Sequence, residues 1–167
     1  MALQLSLMGE SICIDKMKIS NDQMKNQDIL NMLPYAKPFL FVDTLDELSE
    51  EGVRGTFRYA EDSDFYRGHF KGMPVTPGVI LTETMAQIGV VSLGIFLLRD
   101  KIENDFPKIA MTSTAIDFFI PVYPGEKVEV VSKKEVWRFG KLRCFVQMFN
   151  EKKELVCRGK ISGMVQL

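Results

Sequence analysis

A chain of 167 residues is long enough for one domain with a substantial core, and no shift in composition divides it. Its 21 basic and 22 acidic residues leave a formal net charge of −1 and are mixed throughout, so no basic stripe marks a nucleic-acid surface. The three cysteines (Cys13, Cys144 and Cys157) lack CxxC spacing and His69 is the lone histidine, which argues against a zinc cluster and for reduced thiols in the cytoplasm.

Met1–Glu10 has no basic region leading an apolar run, so no signal peptide is expected. Residues 1–26 are read as an N-terminal arm of uncertain structure, with a short strand around Leu3–Ile14. Residues 27–167 are read as a single domain. Ile29, Leu30 and Leu33 suit a short helix over Gln27–Leu33, stopped by Pro34. Phe39–Leu48 reads as a strand. Gly52–Tyr59 alternates apolar and polar residues as a half-buried strand does, with the turn at Glu51-Gly52. Glu61–Arg67 is an acidic connection.

The stretch Arg67-Gly68-His69-Phe70-Lys71-Gly72-Met73-Pro74-Val75-Thr76-Pro77-Gly78-Val79 is a loop shaped by glycine and proline, with Pro77 at a helix start. From Val79 to Leu98 the residues are apolar on nearly every face, a helix of roughly 30 Å at ~1.5 Å per residue. Its length would suit a membrane span, but Glu83, Gln87 and several hydroxyls weigh against one, as do the strand-like flanks. The charged run Arg99–Lys108 with Pro107 ends the helix. Strands follow at Ile109–Phe119, Lys127–Arg138, Leu142–Asn150 and Glu154–Val165, separated by turn signals at 121–125, at Phe139-Gly140 and at 150–153. Five or six antiparallel strands and one apolar helix predict an α+β fold, a strongly curved sheet wrapped around the helix.

A lone histidine is more often a packed or surface residue than a catalyst, but His69 stands just ahead of a helix start with its free amides and positive dipole end. Glu83 on a helix edge would ordinarily be a solvated or salt-bridged carboxylate. The apolar neighbours Val79, Ile80, Leu81, Met85 and Ile88 instead favour a carboxyl that can hold a proton near neutral pH. Such a pair suits proton abstraction beside a carbonyl, with helix-start amides stabilising an enolate-like oxygen. The glycines do not form a phosphate loop, because no GxGxxG or GK[ST] pattern is present.

The sequence Gly68-His69-Phe70-x-Gly72-x-Pro74-Val75-x-Pro77-Gly78-Val79, followed by Glu83-x-Met85-Ala86-Gln87, closely resembles the signature of the β-hydroxyacyl-(acyl carrier protein) dehydratases of the hot-dog fold. Leu33-Pro34-Tyr35-Ala36-Lys37-Pro38-Phe39-Leu40-Phe41-Val42-Asp43 resembles that family's first motif, and Pro121-Val122-x-Pro124-Gly125-Glu126 its strand-turn signature. The resemblance spans about residues 27–163. It implies that water is removed from a 3-hydroxyacyl thioester, on acyl carrier protein or coenzyme A, in fatty-acid or related acyl-chain synthesis. It implies His69 as the base at C2 and Glu83, from the facing subunit of a homodimer, as the acid at C3. Gly78 would bind the thioester carbonyl through its amide, Val75 would orient the imidazole through its carbonyl, and Gln87 would hold the carboxylate. Phe70 and Val79 belong to the same substrate-binding stretch. The assembly implied is a homodimer, alone or as a trimer of dimers, with no metal and no cofactor.

Three positions depart from the family pattern. Tyr35 stands where a histidine is usual. Asp117-Phe118-Phe119-Ile120-Pro121 replaces a strand that usually carries basic residues fit to dock an acidic carrier, and the N-terminal arm is longer. A non-catalytic acyl-binding subunit and a hot-dog thioesterase are the alternatives, but neither requires both His69 and Glu83.

Overall fold

The computed structural model describes residues 26–102 and 108–166. The arm as far as Lys25, with the strand expected around Leu3–Ile14, lies outside the described residues. Helix α1 (Asn26–Asn31) places Ile29 fully in the core and is fastened by the Asn26 side-chain amide, which donates to the Leu45 carbonyl at 2.9 Å. Strands β1 (Thr44–Ser49) and β2 (Gly52–Arg58) form the expected hairpin.

The strand expected over Phe39–Leu48 begins only at Thr44. Upstream of it, the Phe41 amide donates to Gln87 Oε1 at 2.8 Å, and Gln87 Nε2 donates to the Phe39 carbonyl at 2.9 Å. A buried side-chain amide thus satisfies backbone groups that a neighbouring strand would otherwise satisfy. The acidic connection also contains a single 3-10 turn at Asp64–Arg67.

The central helix runs from Gly78 to Lys101. It comprises α2 (Gly78–Ala86), a π turn (Gln87–Val91) and α3 (Ser92–Leu98), and it closes on a 3-10 turn at Arg99–Lys101. Pro77 caps it in an extended conformation (φ −58°, ψ 138°), so the helix starts one residue later, at Gly78. In the π turn the Gln87 carbonyl accepts both the Ser92 amide and, at 2.9 Å, the Ser92 hydroxyl. The Gly89 carbonyl accepts the Ser132 hydroxyl at 2.7 Å. At Gly89 helix and sheet approach closely. An added Cβ would lie 3.0 Å from Val146 Cγ1 and 3.1 Å from Ser132 Cβ.

Strands β3 (Lys108–Phe118), β4 (Lys127–Arg138), β5 (Lys141–Asn150) and β6 (Leu155–Gln166) complete a six-stranded antiparallel sheet in the order β1-β2-β4-β5-β6-β3. Register shifts at Met111/Ser113, Lys134/Val136 and Met148/Phe149 bend the strands, as bulges do. The sheet therefore curls over the helix. Val130, Leu142, Val146 and Met148 from the sheet share one core with Met85, Ile88, Leu93 and Ile95 from the helix, all fully buried. A helix apolar on all faces is stable in water only when enclosed in this way. By length and composition it could cross a membrane, but most of it is buried inside the sheet. This is the hot-dog architecture. Strand β3 forms one edge of the sheet and is exposed along most of its length.

Candidate active site

His69 sits on a loop held at several points. The Tyr66 and Thr76 hydroxyls bond at 2.6 Å, the Val75 amide donates to the His69 carbonyl at 2.9 Å, and the Thr76 amide donates to the Val122 carbonyl at 2.8 Å. Burial raises the Tyr66 phenol above its ordinary range, so it stays a neutral hydrogen-bonding group. The imidazole Nδ1 lies 2.9 Å from the Val75 carbonyl. A carbonyl can only accept, so Nδ1 carries the hydrogen and Nε2 is the ring nitrogen left to face the cleft. The Phe70 ring stacks on the imidazole with centroids 4.0 Å apart, while its outer side remains exposed.

The imidazole faces a cleft of about 350 Å³ shared with Val75, Gly78, Leu81, Phe118 and Pro121. In the first turn of the central helix, the amides of Ile80 and Leu81 both reach back to the Pro77 carbonyl. The Gly78 and Val79 amides have no partner among the described residues. Such orphan amides at the positive end of a helix suit an anionic oxygen. The Phe118 ring covers Gly78 so closely that an added Cβ would lie 3.3 Å from its Cζ. Val79 brings only its backbone here, because its side chain is 75% exposed.

Glu83 lies five residues beyond Gly78, roughly 7.5 Å along the helix and 140° around it. It therefore lines a different cavity of about 100 Å³, walled by Tyr35, Ala86, Val90, Ile109, Met111 and Ile161 among others. Gln87, one turn on and fully buried, donates from Nε2 to Glu83 Oε1 at 2.9 Å. The same Nε2 donates to the Phe39 carbonyl, and Oε1 accepts the Phe41 amide, so every hydrogen-bonding group of this amide is used. Burial and the nearby Glu83 carboxylate push the Tyr35 phenol up to about 12. At the residue after Glu83, the Tyr59 hydroxyl meets Thr84 Oγ1 at 2.7 Å; Thr84 itself donates to the Ile80 carbonyl, so Tyr59 is the donor.

The structure thus brings His69, Val75 and Gly78 together around one cleft and Glu83 with Gln87 around another cavity. Within a single chain it does not bring the histidine and the carboxylate into one space. The Tyr66–Thr76 lock and the covering by Phe118 had no signal in periodicity or spacing. Among the described residues, no three His, Cys, Asp or Glu side chains are grouped to hold a metal ion.

The FabA-like domain family matches residues 33–152. Three curated relatives are each a 3-hydroxyacyl-(acyl-carrier-protein) dehydratase FabZ. The protein from Petrotoga mobilis is 36% identical over 118 residues, covering 66% of this chain and 79% of the relative. That from Herpetosiphon aurantiacus is 40% identical over 121 residues, covering 69% and 81%. That from Caldicellulosiruptor saccharolyticus is 32% identical over 138 residues, covering 80% and 92%. Among solved structures, a dehydratase heterocomplex from Xenorhabdus doucetiae superposes with a TM-score of 0.69 at 11% identity, covering 83% of this chain and 91% of that one. A thioesterase from Haemophilus influenzae superposes at 0.62 with 12% identity, covering 86% and 92%. Identities this low speak for the fold alone, and a fold shared by dehydratases and thioesterases does not choose between them. The sequence match spans the histidine loop, the carboxylate helix and five of the six strands, and on that ground the chain belongs to the FabA-like family.

Proposed function

We propose that this protein is a cytoplasmic 3-hydroxyacyl thioester dehydratase of fatty-acid or related acyl-chain synthesis. Its substrate is linked to acyl carrier protein or coenzyme A, and residues 27–167 act as one hot-dog domain. The observation that supports this most directly is that each member of the acid–base pair has its own positioning hydrogen bond. The Val75 carbonyl fixes the imidazole and the Gln87 amide fixes the carboxyl group. A site that only bound an acyl chain would need neither.

In the reaction, His69 Nε2 removes a proton from C2 while the Gly78 amide stabilises the negative charge arriving on the thioester oxygen. The C2 electron pair forms the C2=C3 double bond, and the C3–O bond breaks. Glu83 Oε1 is occupied by Gln87, so Oε2 carries the proton that turns the departing hydroxyl into water. Return of the proton from His69 to Glu83 resets the pair. Every step is acid–base chemistry carried by side chains and one amide.

The active unit is a homodimer. The His69 cleft includes Phe118 near the end of β3, whereas the Glu83 cavity includes Ile109, Ala110 and Met111 near its start. Seven residues at ~3.3 Å separate 111 from 118 by roughly 23 Å along the strand. Antiparallel pairing of two β3 edges, centred near Thr114 and Ala115, sets Phe118 of one subunit opposite Met111 of the other. Each His69 cleft then opens onto the partner's Glu83 cavity, and the exposed edge of β3 is covered.

The test is incubation of the purified protein with 3-hydroxyacyl thioesters of several chain lengths on carrier protein and on coenzyme A, with products followed by mass spectrometry. The expected product is the trans-2-enoyl thioester. Release of free acid would make it a thioesterase, and binding without turnover an acyl-binding subunit; either result overturns the proposal.

A further inference from the structure

Tyr35 occupies an unusual position among the tyrosines that line the interior. Tyr59 and Tyr66 each bond a threonine hydroxyl. Tyr35 lines the Glu83 cavity with its ring near Phe39 (centroids 6.5 Å apart), and its hydroxyl makes no hydrogen bond among the described residues. Most of the remaining wall is apolar, from Ala86, Val90, Val91, Ile109 and Ile161. The same small cavity is therefore lined by a phenol and by a carboxyl group whose Oε2 has no hydrogen bond among the described residues, with Ser162 as the other polar residue of the wall. Burial is the main cause that raises the phenol to about 12, so it remains an O–H donor across the physiological range.

We infer that the Tyr35 hydroxyl is a second hydrogen-bonding group for the substrate's leaving oxygen, donating to it beside Glu83 as the C3–O bond breaks. This rests on the dehydratase reading above. The water that leaves is built from the substrate's own hydroxyl and the proton of Glu83. Tyr35 keeps its proton throughout and lends only a hydrogen bond, which strengthens as the oxygen gains charge. The cavity then recognises a 3-hydroxyl by two donors and discriminates against a leaving group that accepts hydrogen bonds poorly.

The test compares wild-type protein and Tyr35→Phe on a 3-hydroxyacyl thioester and on its 3-chloro analogue. Both need His69 at C2, but chloride departs without a proton or a strong hydrogen bond. Tyr35→Phe keeps the ring and its packing, and its dehydration kcat is expected to fall roughly tenfold, the size of one hydrogen bond to a charged oxygen. Its elimination of chloride should match wild type. Equal dehydration by the two proteins overturns the inference, and so does a parallel loss on both substrates, which would mark a packing role. If wild type itself forms no enoyl product, the dehydratase reading fails; if wild type dehydrates and Tyr35→Phe equals it, only the role of Tyr35 fails.

Discussion

At the scale of residues, the two proposed catalytic groups are held by different means, and their substitutions separate accordingly. Glu83→Gln preserves shape and the contact with Gln87 but has no proton to deliver. Its turnover is expected to fall by about 10²–10⁴, the usual range for one acid–base group, with the unfolding transition unchanged. Near-normal turnover would make Glu83 a structural residue. Gln87→Leu should affect activity and stability together, because it strands the buried Phe41 amide and the Phe39 carbonyl as well as freeing the carboxyl group. A loss of roughly 1–3 kcal/mol in urea unfolding is expected for buried groups left unpaired. The family signature marks Gln87 as a holder of the carboxylate. That it also anchors the segment ahead of β1 was not legible, because a residue 46 positions away supplies the partner.

The buried thiols make a further residue-scale prediction, with a definite sign. Burial pushes Cys144 up from 9.0 to about 11 and Cys157 up to about 12, so the folded protein favours both as neutral thiols. The unfolded chain gives up these protons first. Their contribution to stability is therefore complete below about pH 8.5 and fades as pH rises through 11 and 12. Thermal unfolding midpoints should decline across that window, and less so in Cys144→Ser or Cys157→Ala measured against their own neutral-pH values. Peptide mapping after a thiol reagent at pH 8 should find both cysteines unmodified until the chain unfolds.

At the scale of elements, the central helix is shaped by its π turn. Widening the helix at Gln87–Val91 rotates the faces of α3 relative to those of α2 and leaves carbonyls that Ser92 and Ser132 satisfy. Ser132→Ala leaves the Gly89 carbonyl without its cross-element donor and should cost about 1–3 kcal/mol. Gly89→Ala forces a methyl group against Val146 and Ser132, with an expected cost of about 1–3 kcal/mol from overpacking. Chemical denaturation of each variant measures both effects. If Gly89→Ala were as stable as wild type, the helix would have room to slide away from β4 and β5. Nothing in an apolar run announces a π turn. One of the carbonyls it frees is met by a serine on a strand that comes 43 residues later.

At the scale of the whole molecule, the proposed dimer draws each site from two chains, and this can be tested by subunit mixing. Mixing His69→Ala subunits with Glu83→Gln subunits should restore activity, because each mixed dimer regains one intact site with His69 from one chain and Glu83 from the other. After complete exchange, about half of the dimers are mixed on simple statistics and each holds one of two sites, so recovery near a quarter of wild type is expected. No recovery after demonstrated exchange would place both groups in a single-chain site. A substitution that blocks edge pairing, such as Thr114→Pro, should give monomers without activity, read by light scattering alongside the assay.

By itself the sequence determined the kinds of element and nearly all their bounds, because period-2 alternation and an unbroken apolar run are local properties of the chain. The Gly/Pro loop around His69 and the position of Glu83 one turn inside a helix were legible for the same reason. So was the wrapping of sheet around helix, since an all-apolar helix in water has no other refuge. Tertiary structure alone decided the rest. It ended the Phe39–Leu48 strand early by offering Gln87 as a partner, set Phe118 over Gly78, and locked Tyr66 to Thr76. It also turned His69 and Glu83 toward different cavities. Each of these depends on groups far apart in the chain meeting at hydrogen-bond or van der Waals distance, and no local pattern encodes such a meeting.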